Sequence, residues 1–373
     1  LLLLRAIALK YSRRANMNAR DIPHYRLFSQ HIVATRCRTP AQVVAELGAI
    51  QAQDYYGALW AIGLRLPGAT QTDVEQAIAD RAIVRTWPMR GTLHFAAAAD
   101  VRWMLELLAP RIMARRASLY QQLGLDNATF KRTRKLFTRA LEGDRQLTRA
   151  AMMEILERGG IATSGLRGYH ILCQLANEQF LCFGPHAGKQ PTFALLDEWA
   201  PKSRQLDRAA ALAEVARRYF TGHGPATVHD FAWWTGLPMA DARNGVNSVA
   251  AQLRCETIDR TDYWMSADLP DSIETSRNLH LLPGFDEYLL GYTDRSAVLH
   301  PMHVSKVLPE RNGRFLSTIV SNGQVSGTWK RELNRAGVQM SLSHFASSKK
   351  AEKSCAASVK RYGQFLGVPA EIL

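Results

Sequence analysis

The sequence predicts an α+β protein, built as tandem winged-helix repeats with a β-rich C-terminal domain. Three observations lead there. A helix, turn, helix, hairpin plan occurs twice in the middle of the chain, a looser copy precedes it, and after residue 275 strand formers and turn residues take over. The divisions that follow are an N-terminal extension at 1–20, winged helices at 21–125, 126–205 and 206–275, and the C-terminal domain at 276–373. With 373 residues the chain exceeds one small core, so several domains are expected.

The opening stretch "LLLLRAIALKYSRRANM" has its first Met at Met17. Its apolar run is far shorter than the ~20 residues of a membrane span, and no small-residue cleavage site follows. An upstream extension outside the fold is expected there. "RTPAQVVAELGAI", "DYYGALWAIGLRL" and "QTDVEQAIADR" have helical spacing, and "AIVRTWPMRGTLHF" reads as two strands around Pro88. Strand alternation puts Arg90, Thr92 and His94 on one face of "RGTLHF". That face suits either a nucleic-acid backbone or plain solvent.

Thr148 is placed to cap a helix carrying Met152, Ile155 and Leu156 and stopped by Gly159-Gly160. Ser164 opens a second helix, and "FLCFGPHAGKQPTFALL" gives two strands around a turn that carries Lys189. The same order returns from Leu206. One helix runs to Phe220 and ends at Gly222, and Thr227 with Asp230 starts another carrying Phe231 and Trp234. Pro238 suits the first turn of a third helix, and "RCETIDRTDYWMS" is a hairpin. In the C-terminal part Asn322-Gly323 marks a tight hairpin, and a last helix is expected from about Lys349 to Phe365.

Lys plus Arg number 47 against 33 acids, a formal charge of +14. Such an excess points to a polyanionic partner, with a basic protein lacking one as the alternative. Residues 101–150 hold eleven of the basic residues against four acids, Arg115, Arg116, Lys131 and Arg132 among them, and a second basic stretch runs from Lys330 to Arg361. Clustering of this kind suggests a surface that tracks phosphates. The five cysteines are widely spaced with no CxxC pair, so neither a disulfide frame nor a zinc site is indicated and the cytoplasm is the expected compartment. No membrane partner and no cofactor is expected, and a monomer is.

The candidates for chemistry are few. "AIQAQDYYGALW" sets Gln51 and Gln53 one residue apart between two helical segments. In extended chain the two amides point to one side, whereas on a helix they diverge, so a joint site needs a non-helical junction. A plain polar helix cap is the competing reading, with Asp54 the natural cap of the next helix. His300 and His303 have no third ligand nearby, so a metal site is not indicated. Trp233-Trp234 reads as one core ring and one surface ring. Asp286 and Glu287 in "GFDEY" would face opposite sides of a strand, which makes them poor candidates for paired acid–base work. No Walker A, GxSxG or HExxH motif occurs, which removes support from most ordinary enzyme classes.

Four stretches in order, "IQAQDYYGALWAIGLR", "RTWPMRGTLHF", "LLPGFDEYLLGYTDRS" and "GQVSGTWKRE", resemble the winged-helix DNA glycosylases of the AlkZ and YcaQ type. The resemblance runs from about residue 24 to the C-terminus. It implies tandem winged helices, removal of N7-alkylguanine from double-stranded DNA and, in several members, unhooking of interstrand crosslinks. The family's motif of Gln, an aliphatic residue and Gln falls on Gln51-Ala52-Gln53, as in the AlkZ branch; the YcaQ branch has Asp at the third position. The resemblance thereby implies that Gln51 and Gln53 are catalytic, with no cofactor or metal, and links the chain to repair or to self-protection against alkylating agents. Arg90, His94, Arg115, Arg116, Lys131, Arg132 and Lys189 are the expected DNA contacts. Alkylation at N7 leaves guanine cationic and already activated as a leaving group. Holding a water and stabilising the developing sugar cation then suffice, and a neutral amide can do both. A winged-helix regulator without enzymatic activity, in which the glutamines are structural, is the alternative.

Overall fold

Gly48, at φ +77°, is where the first functional part of the chain takes shape. Thr39 caps the helix Pro40–Glu46 by accepting from the Gln42 N–H at 3.2 Å, with Pro40 in the first turn. The left-handed glycine then stops that helix. Ile50–Gln51 is extended, and Asp54 caps the helix Tyr55–Arg65 through the Gly57 N–H at 3.2 Å. The non-helical junction that a joint glutamine site requires is therefore present.

The computed structural model describes residues 17–273, 278–310, 313–346 and 349–373. The expected N-terminal extension lies mostly outside the described residues. Its end does not: Met17 packs on the cluster of Tyr25, Met265 and Leu269, so the fold includes the chain from there. The chain forms two units, one made of the residues up to Val74 together with Leu212–Leu373, the other of Glu75–Ala211.

In the second unit the strands Thr92–Ala97, Ile83–Met89, Leu181–Phe183, Thr192–Leu195 and Leu147–Thr148 lie side by side, antiparallel, in that order. Their core includes Trp87, Phe137, Leu156, Ile171 and Phe193, drawn also from the helices Asn127–Leu141, Arg149–Arg158 and Arg167–Asn177. Thr148 caps Arg149–Arg158 as expected, at 3.3 Å to the Ala151 N–H. The next helix starts at Arg167, three residues after Ser164, because Gly165 takes a left-handed φ of +62° and the turn must close first. The first hairpin turns at Arg90-Gly91, both left-handed, and not at Pro88. Pro88 instead sits where the register shifts between Thr86 and Met89, a bulge that tolerates a missing N–H.

In the first unit the helices Arg208–His223, Val228–Thr235 and Met239–Ser248 precede the hairpin Leu253–Ile258 and Thr261–Ser266. Thr227 and Asp230 form the full capping box. The first of these helices runs through Gly222 instead of ending there. A Cβ at Gly222 would come within 2.7 Å of the Glu46 carbonyl, so the glycine serves close helix approach, not termination. Both helix–hairpin segments share one further detail. Leu147–Thr148 pairs with the second hairpin strand in one, and Ala226 bridges Trp264 of the second hairpin strand in the other.

The remaining sheet orders Ala370–Ile372, Val338–His344, Gln324–Leu333, Thr318–Ser321 and Leu279–Leu282. Asn322 and Gly323, at φ 49° and 75°, make the expected two-residue turn. The last helix, Lys349–Leu366, packs Tyr362 and Phe365 on Trp60. "GFDEY" is not strand at this point: Phe285 is left-handed at φ 63°, Asp286 is a helix cap and Glu287–Leu290 a single helical turn.

Candidate active site

Gln51 is 7% exposed and Gln53 lies open to solvent. What fixes Gln51 is not in its own segment. Glu287, 1% exposed, accepts the Gln51 backbone N–H at 3.0 Å with Oε1. Its Oε2 accepts from Trp234 Nε1 at 2.8 Å and lies 3.3 Å from His223 Nε2. Among the described residues His223 Nδ1 is buried with no hydrogen-bond partner. A carboxylate oxygen only accepts, so Nε2 carries a proton directed at Glu287. Tyr219 stacks on His223 at 4.7 Å between ring centroids and fixes its plane.

A second buried pair supports the first. Arg65 donates to both oxygens of Asp286 at 2.8 Å, and both side chains are out of solvent. Arg65 also donates to the Gln30 carbonyl and side-chain oxygens, each at 2.9 Å. Gln30 Nε2 passes the chain to Tyr292 Oη at 3.0 Å, and that hydroxyl donates to the His223 carbonyl at 2.6 Å. Burial raises the Tyr292 phenol, and it stays a neutral donor. Helix Tyr55–Arg65, the turn at 286–290 and helix Arg208–His223 are thereby locked together behind Gln51. Bidentate geometry and full pairing offset the desolvation of these charges.

Asp286 and Glu287 do not work as a pair, as the sequence suggested, yet each is central to the site. Sequence reasoning missed Glu287. Its only local signal was a carboxylate in an apolar stretch, "LLPGFDEYLL", where an acid must find buried partners. Trp234 is buried and Trp233 half-buried, matching the expected core and surface rings.

The expected DNA contacts all fall in the second unit and divide in two. Arg115, Lys131 and Lys189 are exposed. Arg116 reaches Asn177 Oδ1 and the Gly91 carbonyl, each at 3.4 Å, and Arg132 caps the helix end at the Gly159 carbonyl. Arg90 is a turn residue, not a strand residue, and its Nη2 lies 3.3 Å from His94 Nε2. His94 is 0% exposed, so it cannot meet solvent on a strand face. Guanidinium only donates, so Nε2 accepts and Nδ1–H donates to the Thr92 carbonyl at 2.9 Å. Part of the basic run is likewise used internally, with Arg102 on Asp197 at 2.6 Å and Arg134 on Glu178. Among the described residues no group of His, Cys, Asp and Glu is placed to hold a metal, and no helix is long and apolar enough to cross a membrane.

Both the fold and the sequence have counterparts among known proteins. The solved Streptomyces sahachiroi DNA glycosylase AlkZ superposes with a TM-score of 0.79 at 23% identity, covering 96% of this chain and all of that one, a likeness of fold. A curated relative from the same organism, an interstrand DNA cross-link repair glycosylase, is 27% identical over 334 residues, or 83% of this chain and 87% of that protein. The family model described as DNA glycosylase AlkZ-like matches residues 44–365, and the chain belongs to that family.

Proposed function

We propose that this chain is a monofunctional DNA glycosylase that hydrolyses the N-glycosidic bond of N7-alkylated guanine in duplex DNA, including guanines tied into interstrand crosslinks. It acts as a cytoplasmic monomer without metal or cofactor. The observation that carries the reading is the clamp of Glu287 on the Gln51 N–H, which holds an amide motif in extended chain at the edge of a buried network. Gln51 and Gln53 are its catalytic residues. They hold a water against C1′, whose oxygen bonds to that carbon as the C1′–N9 bond breaks. The bond's electron pair neutralises the cationic base, and the water's proton leaves to solvent. Glu287 is not the general base. Both its oxygens are committed to protein donors, so its part is to position Gln51.

The segments 145–196 and 206–268 are read as winged helices, on the strength of the shared pairing of a short extended stretch, just ahead of two successive helices, with the last hairpin strand. A third, more decorated copy at 24–96 is read from the sequence pattern. Arg90, Arg115, Lys131 and Lys189 meet phosphates, Arg116 and Arg132 do so in addition to their internal contacts, and His94 orients Arg90. A crosslinked base is tied to the opposite strand and cannot rotate fully into a closed pocket, which favours an open site such as the exposed Gln53 provides.

The test is incubation of the pure protein with duplexes carrying one 7-methylguanine or one N7-linked crosslink. Abasic sites that break only on later heat or alkali treatment are expected. Folded protein that binds these duplexes and leaves every lesion in place would favour the regulator.

A further inference from the structure

Away from Gln51, the same unit holds a small cavity of about 170 Å³ lined by residues 31–35, Pro67, Asn278, His280 and Arg361. A liquid water takes about 30 Å³, so one tetrahedral oxyanion fits with room to spare. Two of its groups are unusual. Arg361, on the last helix, is half-buried and uses Nη2 on the carbonyls of Leu64 at 2.6 Å and Gly63 at 3.4 Å. Among the described residues no carboxylate pairs with this guanidinium. His280 is 6% exposed on the strand Leu279–Leu282, and among the described residues its buried Nε2 has no hydrogen-bond partner. Burial, with the Arg361 charge beside it, holds that imidazole down to about 4, so it is neutral at pH 7.

A half-buried cation with no carboxylate beside it among the described residues, and a buried ring nitrogen without a partner there, are both costly. They are less so together, because one ligand satisfies both. Anionic oxygens would accept the remaining guanidinium N–H groups in fork geometry and an Nε2–H from the ring. We infer that His280 and Arg361 form a binding site for one phosphate-type oxyanion, supplied either by a DNA backbone phosphodiester or by free phosphate. The site is separate from the glutamines and does not depend on the excision chemistry.

Inorganic phosphate titrated into the full chain, followed by calorimetry and by the His280 imidazole resonances, tests it. Saturable binding is expected in the wild type, tenfold or more weaker in Arg361→Met, with Arg361→Lys between them. In parallel, the log–log salt dependence of duplex binding is compared. A slope about one unit shallower in Arg361→Met assigns the site to a backbone phosphodiester. An unchanged slope with phosphate binding intact in the wild type assigns it to free anion. Should Arg361→Met melt early, His280→Leu carries the comparison, since it leaves the Arg361 contacts to Leu64 in place. Phosphate binding that is equal in folded wild type and variant, or absent while the salt slope is also unchanged, overturns the inference.

Discussion

Glu287 commits one oxygen to the Gln51 backbone and the other to Trp234 and His223, so its charge acts through position. Glu287→Gln would place an amide N–H against one of these donors. Excision should slow about 10–100-fold while DNA affinity holds, since phosphate contacts lie elsewhere. Gln51→Ala and Gln53→Ala should each slow excision of 7-methylguanine by roughly 10–1000-fold, the range for lost preorganised hydrogen bonds, again with affinity nearly unchanged. Gln53→Asp should lose less than Gln53→Ala, because a carboxylate also holds water. Single-turnover rates beside equilibrium binding decide these cases. Wild-type rates in both folded alanine variants would reduce the glutamines to a junction.

Elements here are set by caps and by close approaches, and the two fail differently. Thr148→Ala removes an N-cap and should destabilise by about 1 kcal/mol, read as a small shift of the denaturant midpoint. Asp286→Asn is another matter. It leaves Arg65 charged and buried against a neutral amide, which should cost about 3–5 kcal/mol, and it loosens the helix that begins at Asp54. Equal and small losses in both variants would mean that the Arg65–Asp286 pair holds nothing in place. The hairpin at Arg90-Gly91 makes the converse point. The turn sits where the chain can go left-handed, two residues beyond the proline that seemed to mark it.

At the scale of the molecule, charge and pH are the two levers. Basic residues concentrated at 101–150 should make DNA binding electrostatic and independent of sequence. With ~6 phosphates met, log affinity should fall against log salt with a slope of about −5. A requirement for one operator sequence, or indifference to salt, would oppose the glycosylase reading. Acid should destabilise the fold from neutral pH downward. Burial depresses His280 to about 4, so the folded chain binds fewer protons than the unfolded one between that value and about 6.5. This stability is complete above pH 6.5 and is lost on acidification, about 2 kcal/mol from pH 7 to pH 5. Denaturant midpoints of wild type and His280→Gln at both pH values check it, because the variant should lose less.

The sequence by itself determined what depends on neighbours along the chain. Thr148, the Thr227–Asp230 box and Asn322-Gly323 were legible because a cap or a left-handed turn is a property of two to four consecutive residues. The Asp54 cap was legible for the same reason, whereas the extended chain at Ile50–Gln51 was only one of two readings and the structure decided it. Where Gln51 finds its anchor was not legible. Glu287 lies 236 positions away, Trp234 and His223 belong to a third segment, and only tertiary packing brings the three together. Packing also decided that His94 is buried, that Arg116 and Arg132 are turned to carbonyls, and that His280 and Arg361 share a cavity. The physical reason is common to all of them. Local backbone preference is written into adjacent residues, whereas the partner of a buried polar group is whichever distant segment the core brings within hydrogen-bond distance.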